Sequence, residues 1–164
     1  GIACRLRGFG VPAGGFRTPS TEVTRQVKGQ KDGGRRSDDH IFMDGMEIFK
    51  FSTTDVVRTM QQFIETNRID LESLDYLVLH QANKFMTDKI GRKLKLSPDK
   101  IPYSLTTYGN TGSASIPLTI VNHRANIAQN PTAHCLLAGF GVGLSWGFAD
   151  LVLRQPFLSD IQEI

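Results

Sequence analysis

The sequence predicts an α/β fold in which a mixed five-stranded sheet is covered by helices. Three observations predict it. Short apolar runs alternate with stretches whose apolar residues recur at three- and four-residue spacing. The segments close in small or polar turns: His80-Gln81-Ala82-Asn83, then residues 108–115 (YGNTGSAS), then residues 139–143 (GFGVG). The order reads β-α-β-α-β-α-β-β, which puts those turns at strand ends, where open α/β sheets gather their chemistry.

Each element has its own justification. Residues 1–7 (GIACRLR) have strand composition. Residues 8–39 are rich in Gly, Pro, Thr, Arg and Asp and show no period, so they read as a long irregular loop. Residues 1–40 are thereby set apart from residues 41–164, the remainder of one domain. Asp44-Gly45-Met46-Glu47 spells a capping box with an aspartate cap. The helix after it presents Phe49, Val56, Met60, Phe63 and Ile64 as one buried stripe and fades at Thr66-Asn67. Residues 70–74 suggest a short helical turn before the buried strand at residues 76–79. The next helix, from Lys84, carries Met86, Ile90 and Leu94 on one face, and Ser97-Pro98-Asp99 ends it. Residues 101–105 are a short strand candidate. A helix is expected over residues 114–128 with Pro117 in its first turn. Residues 134–138 and 144–153 supply the last two strands, and residues 156–164 a loose tail.

The bulk properties exclude several classes. The 164 residues suffice for a real core, and 40% hydrophobic with 21% charged residues is ordinary for a globular domain. The net charge of +3, from 19 basic and 16 acidic residues, is too small to argue for nucleic acid. Much of it sits in residues 28–36, expected to be a solvated loop. Cys4 and Cys135 make no disulfide framework, which points to a reducing compartment, the cytoplasm. The first residues carry no apolar leader, so no signal peptide is expected. Residues 135–153 are apolar but are broken by Gly139, Gly141, Gly143 and Gly147 and contain Ser145 and Asp150, so they read as two strands and a turn rather than a membrane span.

Residues 78–83, 108–115 and 140–147, in that order and spacing, resemble the C-terminal half of the β-ketoacyl-acyl-carrier-protein synthase III family, within the thiolase superfamily. The similarity spans roughly residues 44–153, and residues 43–50 (MDGMEIFK) fit the family helix. The resemblance implies a thiolase-like half-domain, one of two similar halves that pack face to face in the family. It implies an acyltransferase of fatty acid biosynthesis that joins an acyl group held on a cysteine to a carbanion made by decarboxylating malonyl-acyl carrier protein. Acyl-CoA and acyl carrier protein are the implied partners, the whole enzyme is expected to be a homodimer, and no metal or redox cofactor is implied.

The resemblance assigns His80 and Asn110 to decarboxylation and condensation. Loss of carbon dioxide leaves an enolate, whose oxygen needs fixed hydrogen-bond donors. An imidazole Nε2–H and a carboxamide NH₂ supply them, whereas an aspartate in place of Asn110 would accept. The turn at residues 140–143 resembles the family's glycine-rich loop, where the backbone N–H of Val142 is expected to hold the thioester oxygen. Val142 stands where many relatives have glycine, which narrows the allowed φ. Met46, Phe49, Ala82 and Phe140 fall at positions implied to contact the pantetheine arm. Arg92 and Lys93 match a basic helix face that docks the acidic carrier protein, although Phe85 stands where one type of relative has arginine.

The family's nucleophilic cysteine belongs to the other half, which this chain lacks. Cys4 lies on the opening strand, and Cys135 lies among Leu136, Leu137 and Ala138, where a thiolate is disfavoured. The chain by itself is therefore expected to be inactive. Two rival readings remain: a related acyltransferase or hydroxymethylglutaryl-CoA-synthase-like condenser of secondary metabolism, and a non-catalytic partner subunit whose companion supplies the cysteine. Asp38, Asp39 and His40 are adjacent in an irregular loop with no second cluster, so solvated charges are expected there rather than a metal site. His123 and His134 are expected to be structural.

Overall fold

The structure, a computed structural model, describes residues 9–30, 33–129, 131–141, 143–154 and 161. The expected opening strand with Cys4, most of the expected tail, and Val142 lie outside the described residues. The chain forms two compact units, one of Gly1–Phe49 with Gly141–Ser145, the other of Lys50–Phe140 with Trp146–Ile164.

In the first unit the expected irregular loop has structure of its own. The strand β1 (Phe9–Gly10) is followed by the single-turn helix α1 (Glu22–Arg25), then β2 (Lys28–Gly29), β3 (Arg35–Arg36) and β4 (Phe42–Met43). Antiparallel pairs form between β1 and β4 and between β2 and β3. Such short pieces carry no readable period, and polar groups hold them instead. Thr21 and Thr24 cap each other reciprocally at the start of α1, and the Ala13 N–H donates to the Asp38 carbonyl at 2.8 Å. Asp38, Asp39 and His40 are therefore not merely solvated charges. Lys28 pairs with Asp38 at 3.2 Å, the Ser20 hydroxyl donates to the Asp39 carboxylate, and the Ser37 N–H donates to His40 Nδ1 at 3.0 Å. The Ser20 hydroxyl, helped by Thr24, holds the Asp39 carboxyl below the usual carboxylate range.

Helix α2 (Gly45–Phe51) starts as its capping sequence requires: Asp44 Oδ1 accepts from the Met46 and Glu47 N–H groups, each at 3.0 Å. A π-helical turn, Ser52–Val56, follows and leads into α3 (Val57–Asn67). The predicted stripe is present, with Val56 and Met60 fully buried and Phe63 and Ile64 half-buried.

Beyond α3 the second unit continues with β5 (Tyr76–Leu79), α4 (Lys84–Lys93), a 3₁₀ turn at Pro98–Lys100, and α5 (Leu105–Tyr108). A second 3₁₀ turn, Gly112–Ala114, precedes α6 (Ser115–Asn122), α7 (Arg124–Ile127), β6 (Thr132–Gly141) and β7 (Ser145–Arg154). The expected helix over residues 114–128 is thus divided at His123. The expected strand at residues 101–105 does not form. Pro102 has no N–H to offer a ladder, and the Ser104 N–H donates to the Gln81 side chain at 3.3 Å.

Among the described residues the main sheet has three strands in the order β5-β6-β7. The pair β5–β6 is parallel, with Tyr76 opposite Cys135 and Leu79 opposite Ala138. Strands β6 and β7 are joined by only residues 142–144, far too few for the crossover a parallel pair needs, so they run antiparallel and the sheet is mixed. Helices cover both faces. Ile120 and Ile127 pack with Ala133, Cys135, Leu137, Leu151 and Leu153 on one face. On β7 the residues of opposite parity, Trp146 and Phe148, meet Phe51 and Phe63 at centroid distances of 5.3 and 5.6 Å. No helix among the described residues is long and apolar enough to cross a membrane.

Candidate functional site

The site lies where the parallel pair β5–β6 ends. The His80 N–H donates to the Ala138 carbonyl at 2.9 Å, so the ladder runs one residue past β5 and fixes the backbone that bears the imidazole. Asn83 then caps α4, its Oδ1 accepting from the Met86 N–H at 2.8 Å. Met86, Ile90 and Leu94 bury the helix face that holds the turn in place. His80 is therefore held between a strand and a capped helix start, as the sequence predicts.

The turn at residues 108–115 comes to the same imidazole. Gly109 (φ 67°) ends α5 and Gly112 (φ 60°) opens the next turn, both in the left-handed region that suits glycine. The chain thereby delivers Ser115 to the start of α6, and its Oγ lies 2.8 Å from His80 Nδ1. The Gln81 N–H donates to the same oxygen at 3.3 Å. Phe140, at the end of β6, stands edge-on to the imidazole at 5.4 Å and 87°. Burial pushes the His80 imidazole below its usual pKa of 6.5, against a backbone hydrogen bond at Gly112 that raises it.

Beneath the imidazole the polar groups are closed on one another. Gln81 Nε2 donates to the Leu79 carbonyl at 2.9 Å, and the Thr119 hydroxyl donates to the Ser115 carbonyl at 2.7 Å. The Ser104 and Thr119 hydroxyls lie 2.7 Å apart. Gln81, Ser104, Ser115 and Thr119 are all fully buried. The sequence reading assigned none of them a role, although Ser115 and Thr119 at i and i+4 are the polar face of an otherwise apolar helix segment.

The other predicted residues fall as follows. Asn110 is exposed on the same turn, and its Oδ1 accepts from the Gly112 N–H at 3.0 Å. Ala82 is half-buried beside His80, its N–H on the His80 carbonyl at 3.1 Å. Arg92 is exposed on α4. Lys93 donates to the Thr53 carbonyl at 2.6 Å. Met46, exposed, and Phe49, half-buried, belong to α2 in the first unit. The Cys135 thiol is fully buried, and burial pushes its pKa up to about 11, as expected of an inert position. His123 Nδ1 meets the Thr119 carbonyl at 3.2 Å and His134 Nε2 meets Asp150 at 2.7 Å, both structural contacts. Among the described residues, no three His, Cys, Asp or Glu side chains group as metal ligands would.

Comparison with known proteins bears on this geometry. Residues 64–152 match the family described as 3-Oxoacyl-[acyl-carrier-protein (ACP)] synthase III C terminal. A β-ketoacyl-[acyl-carrier-protein] synthase III of Streptococcus agalactiae (strain NEM316) is 40% identical over 112 residues, 67% of this chain and 35% of that protein. The protein of the same name from Streptococcus sanguinis (strain SK36) is 40% identical over 110 residues, 66% of this chain and 34% of that one. The chain thus spans about one third of the length of these relatives. A crystal structure of a 3-oxoacyl-(acyl-carrier-protein) synthase III superposes with a TM-score of 0.83 at 34% identity, covering 89% of this chain and 43% of the other. One from Burkholderia xenovorans LB400 gives 0.80 at 33%, covering 94% and 43%.

Proposed function

Because the chain belongs to the 3-oxoacyl-[acyl-carrier-protein] synthase III C-terminal family, we propose that it is the half of a decarboxylating condensing enzyme that holds the nascent enolate. The parent reaction joins an acyl group, delivered by acyl-CoA to a cysteine of the other half, to malonyl-acyl carrier protein. The malonyl carboxylate leaves as carbon dioxide and its bonding pair passes to the α-carbon. That carbon attacks the acyl thioester, and the cysteine leaves as thiolate. Negative charge collects on the malonyl thioester oxygen, and His80 and Asn110 each offer it an N–H. No metal or redox cofactor enters this scheme, since the groups travel as thioesters.

The observation that carries the proposal is the meeting of two turns 35 residues apart on one imidazole, with His80 Nδ1 2.8 Å from Ser115 Oγ. In this reading the contact at Nδ1 leaves Nε2 for the enolate oxygen, and Asn110, on the turn that carries Ser115, adds its NH₂. In this reading Phe140, Ala82, Met46 and Phe49 contact the pantetheine arm, the Val142 N–H holds the thioester oxygen, and Arg92 docks the acidic carrier protein. Lys93 contributes its charge from the next position. The reading carries with it the face-to-face second half, a homodimeric enzyme, a cytoplasmic location and the full five-stranded sheet.

The test uses the complete polypeptide. His80→Ala and Asn110→Ala should each lower malonyl decarboxylation by about 10²-fold or more. Undiminished decarboxylation in both variants contradicts the assignment.

A further inference from the structure

The protons beneath His80 can be counted. Thr119 gives its single hydroxyl proton to the Ser115 carbonyl, so in the contact between Ser104 and Thr119 it is Ser104 that donates. Ser115 Oγ accepts the Gln81 N–H and keeps one proton to give and one lone pair to offer. His80 Nδ1 lies 2.8 Å away. Ser104, Ser115, Thr119 and Gln81 are each 0% exposed, so solvent offers these hydroxyls no alternative partner.

We propose that Ser115 is a positioning residue that fixes His80 in the Nε2–H tautomer: its hydroxyl donates to Nδ1, and the remaining ring proton stands on Nε2. The tautomer rests on Ser115 Oγ being the donor in its 2.8 Å contact with His80 Nδ1. Its consequence rests on the reading of His80 as an enolate donor. With the proton on Nε2 the imidazole stabilises the enolate oxygen, whereas the other tautomer would aim a lone pair at it. Asn110 then acts beside a donor that is set before substrate arrives. Ser115 itself touches no substrate in this scheme and works through the ring it orients.

The test uses the complete polypeptide carrying nitrogen-15-labelled histidine. The wild-type spectrum should show an unprotonated Nδ1 and a protonated Nε2 for His80. Ser115→Ala should populate both tautomers and lower kcat for malonyl decarboxylation by about 10- to 100-fold, with KM within about twofold. Ser115→Thr, which keeps the hydroxyl, should restore the tautomer and most of kcat. A protonated Nδ1 in the wild type overturns the proposal, and this holds even if the alanine variant fails to fold. An alanine variant with wild-type tautomer and wild-type kcat overturns it equally. If the Nε2–H tautomer depends on Ser115 but His80→Ala decarboxylates normally, the positioning role stands and the condensing-enzyme reading falls.

Discussion

The ammonium of Lys93 on α4 donates to the main-chain carbonyl of Thr53, 40 residues earlier, at 2.6 Å. Thr53 sits in the π-helical turn against which α4 packs. A π turn displaces the regular i→i−4 ladder, and Lys93 supplies a charged donor to it. Its neighbour Arg92 is exposed. The two adjacent cations should therefore respond differently to substitution. Lys93→Met should lower stability by about 1 kcal/mol, read by denaturant unfolding. Arg92→Glu should leave stability within about 0.5 kcal/mol while raising KM for the carrier protein and flattening its dependence on salt. Equal effects of both on carrier-protein KM would contradict this division of labour.

Acid should find His80 late. Burial, the dominant influence, lowers its folded pKa from 6.5. The groups facing the ring, Ser115, Phe140 and the Gly112 backbone, carry no charge. Decarboxylation should therefore hold steady as pH falls through 6.5 and decline only below the lowered value. Between those two values the unfolded chain binds more protons at this residue than the folded one, so acidification there costs stability. Activity that titrates at or above 6.5, measured as kcat against pH, would contradict the assignment.

Gly91 marks a tight crossing. A β-carbon added there would lie 2.1 Å from Ile101 Cδ1, whereas the next atom, Cγ1, stands at 3.6 Å. Gly91→Ala should destabilise by about 1–3 kcal/mol. Ile101→Val removes the offending carbon, so the double variant should be more stable than the sum of the two single changes predicts. Strict additivity in denaturant unfolding would count against this packing.

Cys135 should behave as a hydrophobic residue. Burial pushes its pKa up to about 11, so the thiol stays protonated at neutral pH. Peptide mapping after alkylation should find this thiol unmodified in the folded protein and labelled once denaturant is added. Ready labelling under native conditions would reopen it as a nucleophile.

The parts of the fold that were legible in the sequence are those whose information is local. The helix caps at Asp44 and Asn83, the stripes through Met60 and Ile90, and the run from Tyr76 to Leu79 depend on neighbours within a turn or two. The strand expected at residues 101–105 failed for a long-range reason: Gln81 takes the Ser104 N–H that a ladder would need. The loop at residues 8–39 looked structureless because its order is carried by threonine caps and backbone bonds, not by a hydrophobic period. At the site, the place of His80 between a strand end and a capped helix start could be read from motif order. Ser115 could not be given a role, because its hydroxyl matters only through an imidazole 35 positions away.

Because the amide of His80 is tied to Ala138 at the end of a parallel ladder, the backbone that bears the imidazole is held as a loop residue's is not. Opening that bond means prising β5 from β6, so this amide should exchange with deuterium on the slow timescale of the core. The exposed backbone around Asn110 should exchange early. Movement needed to admit a bulky thioester would then come from the glycine-bearing turn, against a stationary strand end.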